Sequence, residues 1–232
     1  MINNKAIGYI TANYAGTEKS ALVESRSIAS VPFIGRYRLI DFPLSNMANA
    51  GIRTVGLVLP GNWRSILDHV GHGKDWMLDR KKGGLFPVPG NPYGTTKQGM
   101  RFLLRDIISN KELFQRSDKP YVVMMASNII FNLELDEIID AHERSGAGLT
   151  MVYVKAERKH TDCSRLIIGD RGRVQKVEPG CEYGDNKFID CFVVNRDLLL
   201  QIVVRVQRGL TGAAQHIALL QIRQKSGKVA GF

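Results

Sequence analysis

Three short runs, AIGYIT at 6–11, TVGLVL at 54–59 and YVVMMA at 121–126, are apolar on both of the faces a strand presents. A sheet with one wet face alternates polar and apolar residues, so runs like these need cover on both sides. Segments with helical spacing lie between them. Residues 41–50 put Leu44, Met47 and Ala48 on one stripe and meet Gly51, a helix-ending residue. Residues 64–70 and 98–109 read as further helices, the second with Met100, Leu103, Leu104, Ile107 and Ile108 three to four apart, and another spans 135–144 after the third run. Strand, helix and strand in this order predict βαβ units and a doubly wound α/β fold.

The later part continues with a strand at 149–154, then 166–168 and 174–177 flanking the turn GDRG as a hairpin. A last strand at 188–194 leads into a helix at 196–204. Residues 83–96, GGLFPVPGNPYGTT, read as a long irregular loop because glycine and proline crowd it. No internal repeat is visible.

A net charge of +10 invites a nucleic-acid reading, but its distribution argues against one. Beyond Asp197 there is no acidic residue, and Arg205, Arg208, Arg223, Lys225 and Lys228 carry half of the total. The remaining surplus suits a protein that handles phosphorylated metabolites. Cys163, Cys181 and Cys191 are too few and too scattered for a secreted disulfide framework, and their spacing suggests no zinc site, so a reducing cytoplasm is expected. No run approaches the roughly 20 apolar residues of a membrane span. His69, His72, His142, His160 and His216 lack any spacing that suggests a metal, and none is expected in this chain. Trp63 and Trp76 read as packing or interface anchors.

The segment 31–58, VPFIGRYRLIDFPLSNMANAGIRTVGLV, resembles the stretch that follows the signature loop of sugar-phosphate nucleotidyltransferases, specifically bacterial glucose-1-phosphate adenylyltransferases (ADP-glucose pyrophosphorylases). YVVMMASNIIF at 121–131, with 146–154 and 188–200, extends the resemblance over about residues 3–200. GKDWMLDRKKGGLFPVP at 73–89 is most similar to the GlgD-type subunit, which accompanies a catalytic subunit in glycogen synthesis. The resemblance implies a Rossmann-like nucleotidyltransferase domain over residues 1–200 and a basic tail at 201–232. The β-helix domain of the family has no counterpart in the sequence. A truncated or frameshifted product is the expectation for the tail, and a basic amphipathic helix at 210–222, meeting a membrane or an acidic partner, is the rival.

Active relatives approach the triphosphate with a loop Ala-Gly-Gly-x-Gly-Thr-Arg-Leu, where this chain has Ala12-Asn13-Tyr14-Ala15-Gly16-Thr17-Glu18-Lys19. Side chains at Asn13 and Tyr14 obstruct close backbone approach. Glu18 replaces the arginine, and a carboxylate facing a phosphate charge at ~4 Å, with an effective dielectric near 20, costs about 4 kcal/mol. Gly16, Thr17 and Lys19 are the remnant of the nucleotide site. Ile28 stands where the family has a lysine, and Ser127-Asn128 where it has the Gly-Asp pair that holds Mg²⁺. Gly94-Thr95-Thr96-Lys97 loosely echoes the base-side motif. Val177-Glu178-Pro179 lacks the sugar-phosphate lysine, although Lys176 is close, so Lys176 and Glu178 are the sugar-phosphate remnant.

The resemblance with these losses implies a non-catalytic or regulatory subunit. Its partner would be a catalytic homologue in a hetero-oligomer, with Mg²⁺ belonging to that partner. Two other readings remain: a weakly active transferase using Lys19 and Lys176, and an anionic-surface or nucleic-acid binder acting through the tail. Arg36, Arg38 and Asp41 are expected to form an ion-pair network at the start of a helix. With Lys74, Arg80 and Lys81, the two arginines are candidates for an anionic-effector or subunit contact.

Overall fold

The computed structural model describes residues 5–14, 23, 24, 26–92 and 101–208. The elements in chain order are β1 (Ala6–Thr11), β2 (Pro32–Phe33), β3 (Tyr37–Arg38), α1 (Asp41–Asn49), β4 (Thr54–Leu59), α2 (Arg64–Val70) and β5 (Gly84–Pro89). They continue with α3 (Leu104–Ser109), α4 (Lys111–Gln115), β6 (Tyr121–Ala126), α5 (Leu135–Ser145), β7 (Leu149–Lys155), β8 (His160–Ile168), β9 (Val174–Cys181), β10 (Asn186–Asn195) and α6 (Arg196–Gln207). Single 3-10 turns sit at Ile28–Ser30, Lys74–Trp76 and Asp170–Gly172.

Eight of the strands form one mixed sheet in the order β5-β4-β1-β6-β10-β8-β9, with β7 also paired to β10. β5, β4, β1 and β6 run parallel. β10 lies antiparallel to β6 and β7, and it meets β8 at Lys187 and Phe188. Period-two alternation splits the core. Ile10, Val55, Leu57, Val123 and Met125 face α1, α2 and α5 through Leu44, Met47, Ile66, Leu135 and Ile139. Ile7, Tyr9, Val122 and Met124 face α3, α4 and α6 through Ile107, Phe114, Leu199 and Ile202. Two-sided burial is thus what the apolar runs required. At Gly8 α1 crosses β1 closely: a Cβ there would lie 2.9 Å from the Met47 sulfur and 3.1 Å from a Val55 methyl.

Two local expectations are corrected. Residues 84–89, expected to be loop, are the parallel edge strand β5, with Pro87 opposite Leu57 and Pro89 opposite Leu59. The N–H groups of Gly84 and Gly90 donate to the carbonyls of Arg53, just before β4, and Leu59 at its end, so those of residues 85, 87 and 89 point away from it. Both prolines therefore sit where no donor is needed by the sheet, and they also blunt the open edge. The helix expected at 98–109 begins only at Leu104, because Leu103 is extended (φ −98°, ψ 124°); residues 93–100, with the Gly94-Thr95-Thr96-Lys97 segment, lie outside the described residues. The hairpin of β8 and β9 is longer than the sequence suggested, at Leu166 opposite Val177 and out to His160 opposite Cys181.

Candidate functional site

The chain runs from β1 to β4 and β5 on one side, then returns to place β6 on the other side of β1. This reversal of strand order opens a crevice beyond the carboxyl ends of β1 and β6, where open α/β sheets place ligands. Residues 12–14 leave β1 there and Ser127 and Asn128 leave β6. The crevice is filled by the chain's own side chains.

Asn13, 3% exposed, donates through Nδ2 to the Asn91 carbonyl (3.0 Å) and to Asp106 Oδ2 on α3 (2.9 Å). Asp106 also accepts the Asn91 N–H at 2.6 Å. Burial pushes this carboxyl above its ordinary value, against the pull of those two donors. Gly90 completes the socket: a Cβ there would lie 2.4 Å from Asn13 Nδ2. Asn13 thus ties the end of β1 to the end of β5 and to α3.

Tyr14, 7% exposed, points toward β6. Ser127 Oγ donates to the Thr11 carbonyl (3.0 Å), which uses its only proton, so the Tyr14 hydroxyl donates to Ser127 Oγ at 3.1 Å. Burial raises the Tyr14 phenol well above its usual range. The Arg101 guanidinium lies 5.3 Å from the centre of the Tyr14 ring, a cation–π contact. Arg101 is itself buried, and its fork meets Asp162 of β8 at 2.8 and 3.2 Å. Its Nε is 3.9 Å from Asp190 on β10.

Asp190 has a left-handed backbone (φ +53°) between Phe188 and Phe192, where the register of β10 against β7 shifts. The bulge turns a carboxylate inward from the apolar stretch Phe188–Val194 of the strand. Burial pushes the group up to about 7; Arg101 opposes the shift and Asp162 adds to it.

The candidates from the sequence fare differently. Gly16, Thr17, Glu18 and Lys19 lie outside the described residues, as does the tail from residue 209. Ile28 is half-buried at the start of a 3-10 turn, whose N-terminus Ser27 caps by accepting from the Ala29 N–H. Asn128 is at the end of β6, and its Oδ1 is buried without a hydrogen-bond partner among the described residues. One neutral oxygen makes a poor magnesium site, and among the described residues no three His, Cys, Asp or Glu side chains come together to hold a metal. The residues present therefore do not fit Mg²⁺.

Lys176 and Glu178 pair with each other on β9. Glu178 is also held by Arg165 at 2.6 Å, and these cations, the Lys176 hydrogen bond first, keep its carboxyl below the ordinary value. The lysine is thus engaged on the hairpin. The network expected of Arg36, Arg38 and Asp41 takes another form. Asp41 accepts the Arg38 backbone N–H (3.0 Å) and meets His69 Nε2 at 2.6 Å, while the Arg38 guanidinium donates to the Ser65 carbonyl. A backbone donor and a histidine are nearer than either guanidinium, and Arg36 is exposed with no side-chain partner among the described residues. Lys74, Arg80 and Lys81 are exposed as well. Trp76 is buried and donates to Ser45 Oγ at 3.1 Å, whereas Trp63 is 46% exposed. No described helix is long and apolar enough to cross a membrane.

Arg101, Asp162 and Asp190 were not singled out in the sequence. The available signal was one acidic residue, Asp190, inside the apolar run FIDCFVV.

The family model of nucleotidyl transferases matches residues 16–178. A Glycogen biosynthesis protein GlgD from Bacillus subtilis (strain 168) is 37% identical over 153 residues, 66% of this chain and 44% of the relative. A Glucose-1-phosphate adenylyltransferase from Clostridium perfringens (strain SM101 / Type A) is 32% identical over 156 residues, 66% of this chain and 40% of the relative. The chain thus spans less than half the length of these relatives. Among solved structures, a putative glucose-1-phosphate thymidylyltransferase from Bacillus anthracis shares the fold with a TM-score of 0.66 at 12% identity, over 90% of this chain and 77% of that one.

Proposed function

This chain belongs to the nucleotidyl transferase family, and on that premise we propose that it serves glycogen biosynthesis as a non-catalytic, regulatory subunit of a glucose-1-phosphate adenylyltransferase. The observation that carries the reading is the filled crevice. Tyr14 and Asn13 occupy positions that active relatives leave to glycine, and both side chains are hydrogen-bonded within the crevice at the ends of β1 and β6. The loss of charge at Asn128 and the engagement of Lys176 by Glu178 point the same way. The weakly active alternative uses Lys19, which lies outside the described residues, and Lys176, which pairs with Glu178 on the hairpin.

In the proposed role the chain assembles with a catalytic homologue that converts ATP and glucose 1-phosphate into ADP-glucose and pyrophosphate, with Mg²⁺ on that homologue. The contribution of this subunit is then made through the contact, by shifting the conformational equilibrium of the homologue. The test is turnover of the purified protein with Mg²⁺, ATP and glucose 1-phosphate, alone and mixed with the catalytic homologue from the same cell. No turnover alone and altered kinetics in the mixture are expected. Turnover by the chain alone on the order of 1–10³ s⁻¹ would overturn the regulatory reading.

A further inference from the structure

Cys163 and Cys181 sit together in a small buried cluster with Ala156, apart from the two main cores. They are brought together by an irregularity of the hairpin. His160 is opposite Cys181 and Ser164 is opposite Pro179, so three residues of β8 face the single residue Gly180 on β9. Gly180 takes a left-handed conformation (φ +76°), and the bulge swings Cys163 back toward the end of the pair. The Cys163 sulfur lies 3.6 Å from the carbonyl oxygen of His160, the residue paired with Cys181, and the two cysteines pack against each other in the same cluster. Both are free, at 4% and 3% exposure. The third cysteine, Cys191, is fully buried in the core on β10, in a different cluster.

We infer that Cys163 and Cys181 are a redox modification site, closing to an intramolecular disulfide that staples β8 to β9 when a peroxide reaches them. The step balances with hydrogen peroxide as oxidant. One thiol is oxidised to a sulfenic acid as the O–O bond breaks and a first water leaves. The other sulfur then attacks it, forming the S–S bond and releasing the oxygen as a second water. Two S–H bonds are lost and a dithiol reductant reverses the change. The staple lies beside functional geometry: Asp162, which forks Arg101 at the crevice, precedes Cys163 in the bulge. Burial, with the Cys181 contact, pushes the Cys163 thiol up to about 12, so little thiolate exists at neutral pH and closure should accelerate as pH rises.

The test is thiol counting and non-reducing peptide mapping of the native full chain treated with hydrogen peroxide at pH 7, 8 and 9. Free thiols are expected to fall from three to one, with a single 163–181 linkage, Cys191 still free, and a rate that climbs with pH. Hydrogen exchange should slow within 160–181 only, and a dithiol should restore the reduced pattern. Cys163→Ser and Cys181→Ser should each abolish the linkage while circular dichroism shows the fold intact. In urea, Cys191 should join the pairings, because there proximity is lost. A linkage through Cys191 in the native chain, disulfides only between chains, or three unreacted thiols under conditions that oxidise the urea-unfolded chain would each overturn the inference.

Discussion

Replacing Arg101 by methionine probes the crevice most directly, because this one side chain holds three groups from different parts of the chain. It forks Asp162 on β8, faces Asp190 on β10 and lies over the ring of Tyr14 after β1. Arg101→Met keeps much of the volume but leaves two carboxylates without the cation. Breaking a buried ion pair by removing one partner costs about 3–5 kcal/mol. The cost should depend on pH, with a sign that follows from Asp190. Its folded value, about 7, lies above the ordinary 3.8, so the folded chain binds a proton that the unfolded chain releases. That contribution is fully present below about pH 4 and is lost as pH rises through 7, on the order of 4 kcal/mol in all. Arg101 opposes the shift, so its removal raises Asp190 further and moves the window upward. Urea unfolding at pH 5.5 and pH 8.5 tests this, together with Asp190→Asn and the double variant. The loss from Arg101→Met should be largest at pH 8.5 and smaller at pH 5.5, and Asp190→Asn should recover part of it. A loss below about 1 kcal/mol at pH 8.5, or one that grows on acidification, would refute the placement of Arg101 as the counter-charge of a buried carboxylate.

Other changes discriminate among parts of the fold. Tyr14→Phe removes one hydrogen bond but leaves Ser127 donating to Thr11, so a loss of about 0.5–1.5 kcal/mol is expected, whereas Tyr14→Gly empties the crevice and should cost about 3–5 kcal/mol in the same denaturation assay. Gly83→Ala would place a Cβ 2.5 Å from the Arg53 carbonyl at φ +78°, and about 2–3 kcal/mol is expected; Gly146→Ala, left-handed at φ +63° and ψ 15° in open space, should cost only about 1 kcal/mol. His142 is buried between Thr150 Oγ1 (2.7 Å) and Asn195 Oδ1 (2.8 Å), and burial holds it below its ordinary 6.5. Its neutral form is favoured by the fold, so this contribution is present above about pH 6.5 and is lost as pH falls below it; His142→Gln should flatten that limb of the stability profile.

The parallel core was legible because burial on both faces leaves no room for polar alternation, as in TVGLVL and YVVMMA. β5 escaped because Pro87 and Pro89 look like breakers until their shared parity is noticed: two residues apart, both nitrogens face the open edge. The start of α3 was misplaced for a tertiary reason. Helical spacing continues upstream of Leu104, but Arg101 is drawn to Asp162 and Asp190, and the chain beside it is extended. At the site, the departures from the family's motif at Asn13, Tyr14 and Asn128 belong to the resemblance in the sequence. What those residues do instead could not be read there, since Asn13 meets Asp106 and Tyr14 meets Ser127 across separations of 93 and 113 residues. Asp41 teaches the same lesson: the nearby arginines suggested an ion pair, and the fold supplied His69.

On the regulatory reading proposed above, the side chains in the crevice keep a transferase scaffold stable with no nucleotide bound there. Strand ends at a topological switch point expose polar groups that a ligand normally satisfies, and an empty crevice would leave them facing a void or loosely held water. Here Tyr14 completes a chain of donors through Ser127 to Thr11, Asn13 bridges Asn91 and Asp106, and Arg101 neutralises the acids on β8 and β10. A buried tyrosine removes some 150–250 Å² from water, worth several kcal/mol at about 25 cal/mol per Å². The residues that occlude the site therefore also hold the sheet's central strands together. Restoring one charge, at position 18 or 128, leaves Tyr14 and Arg101 in place. Clearing them first removes the contacts on which the crevice depends, so on the proposed reading any gain of catalysis would come at the expense of stability in the same few side chains.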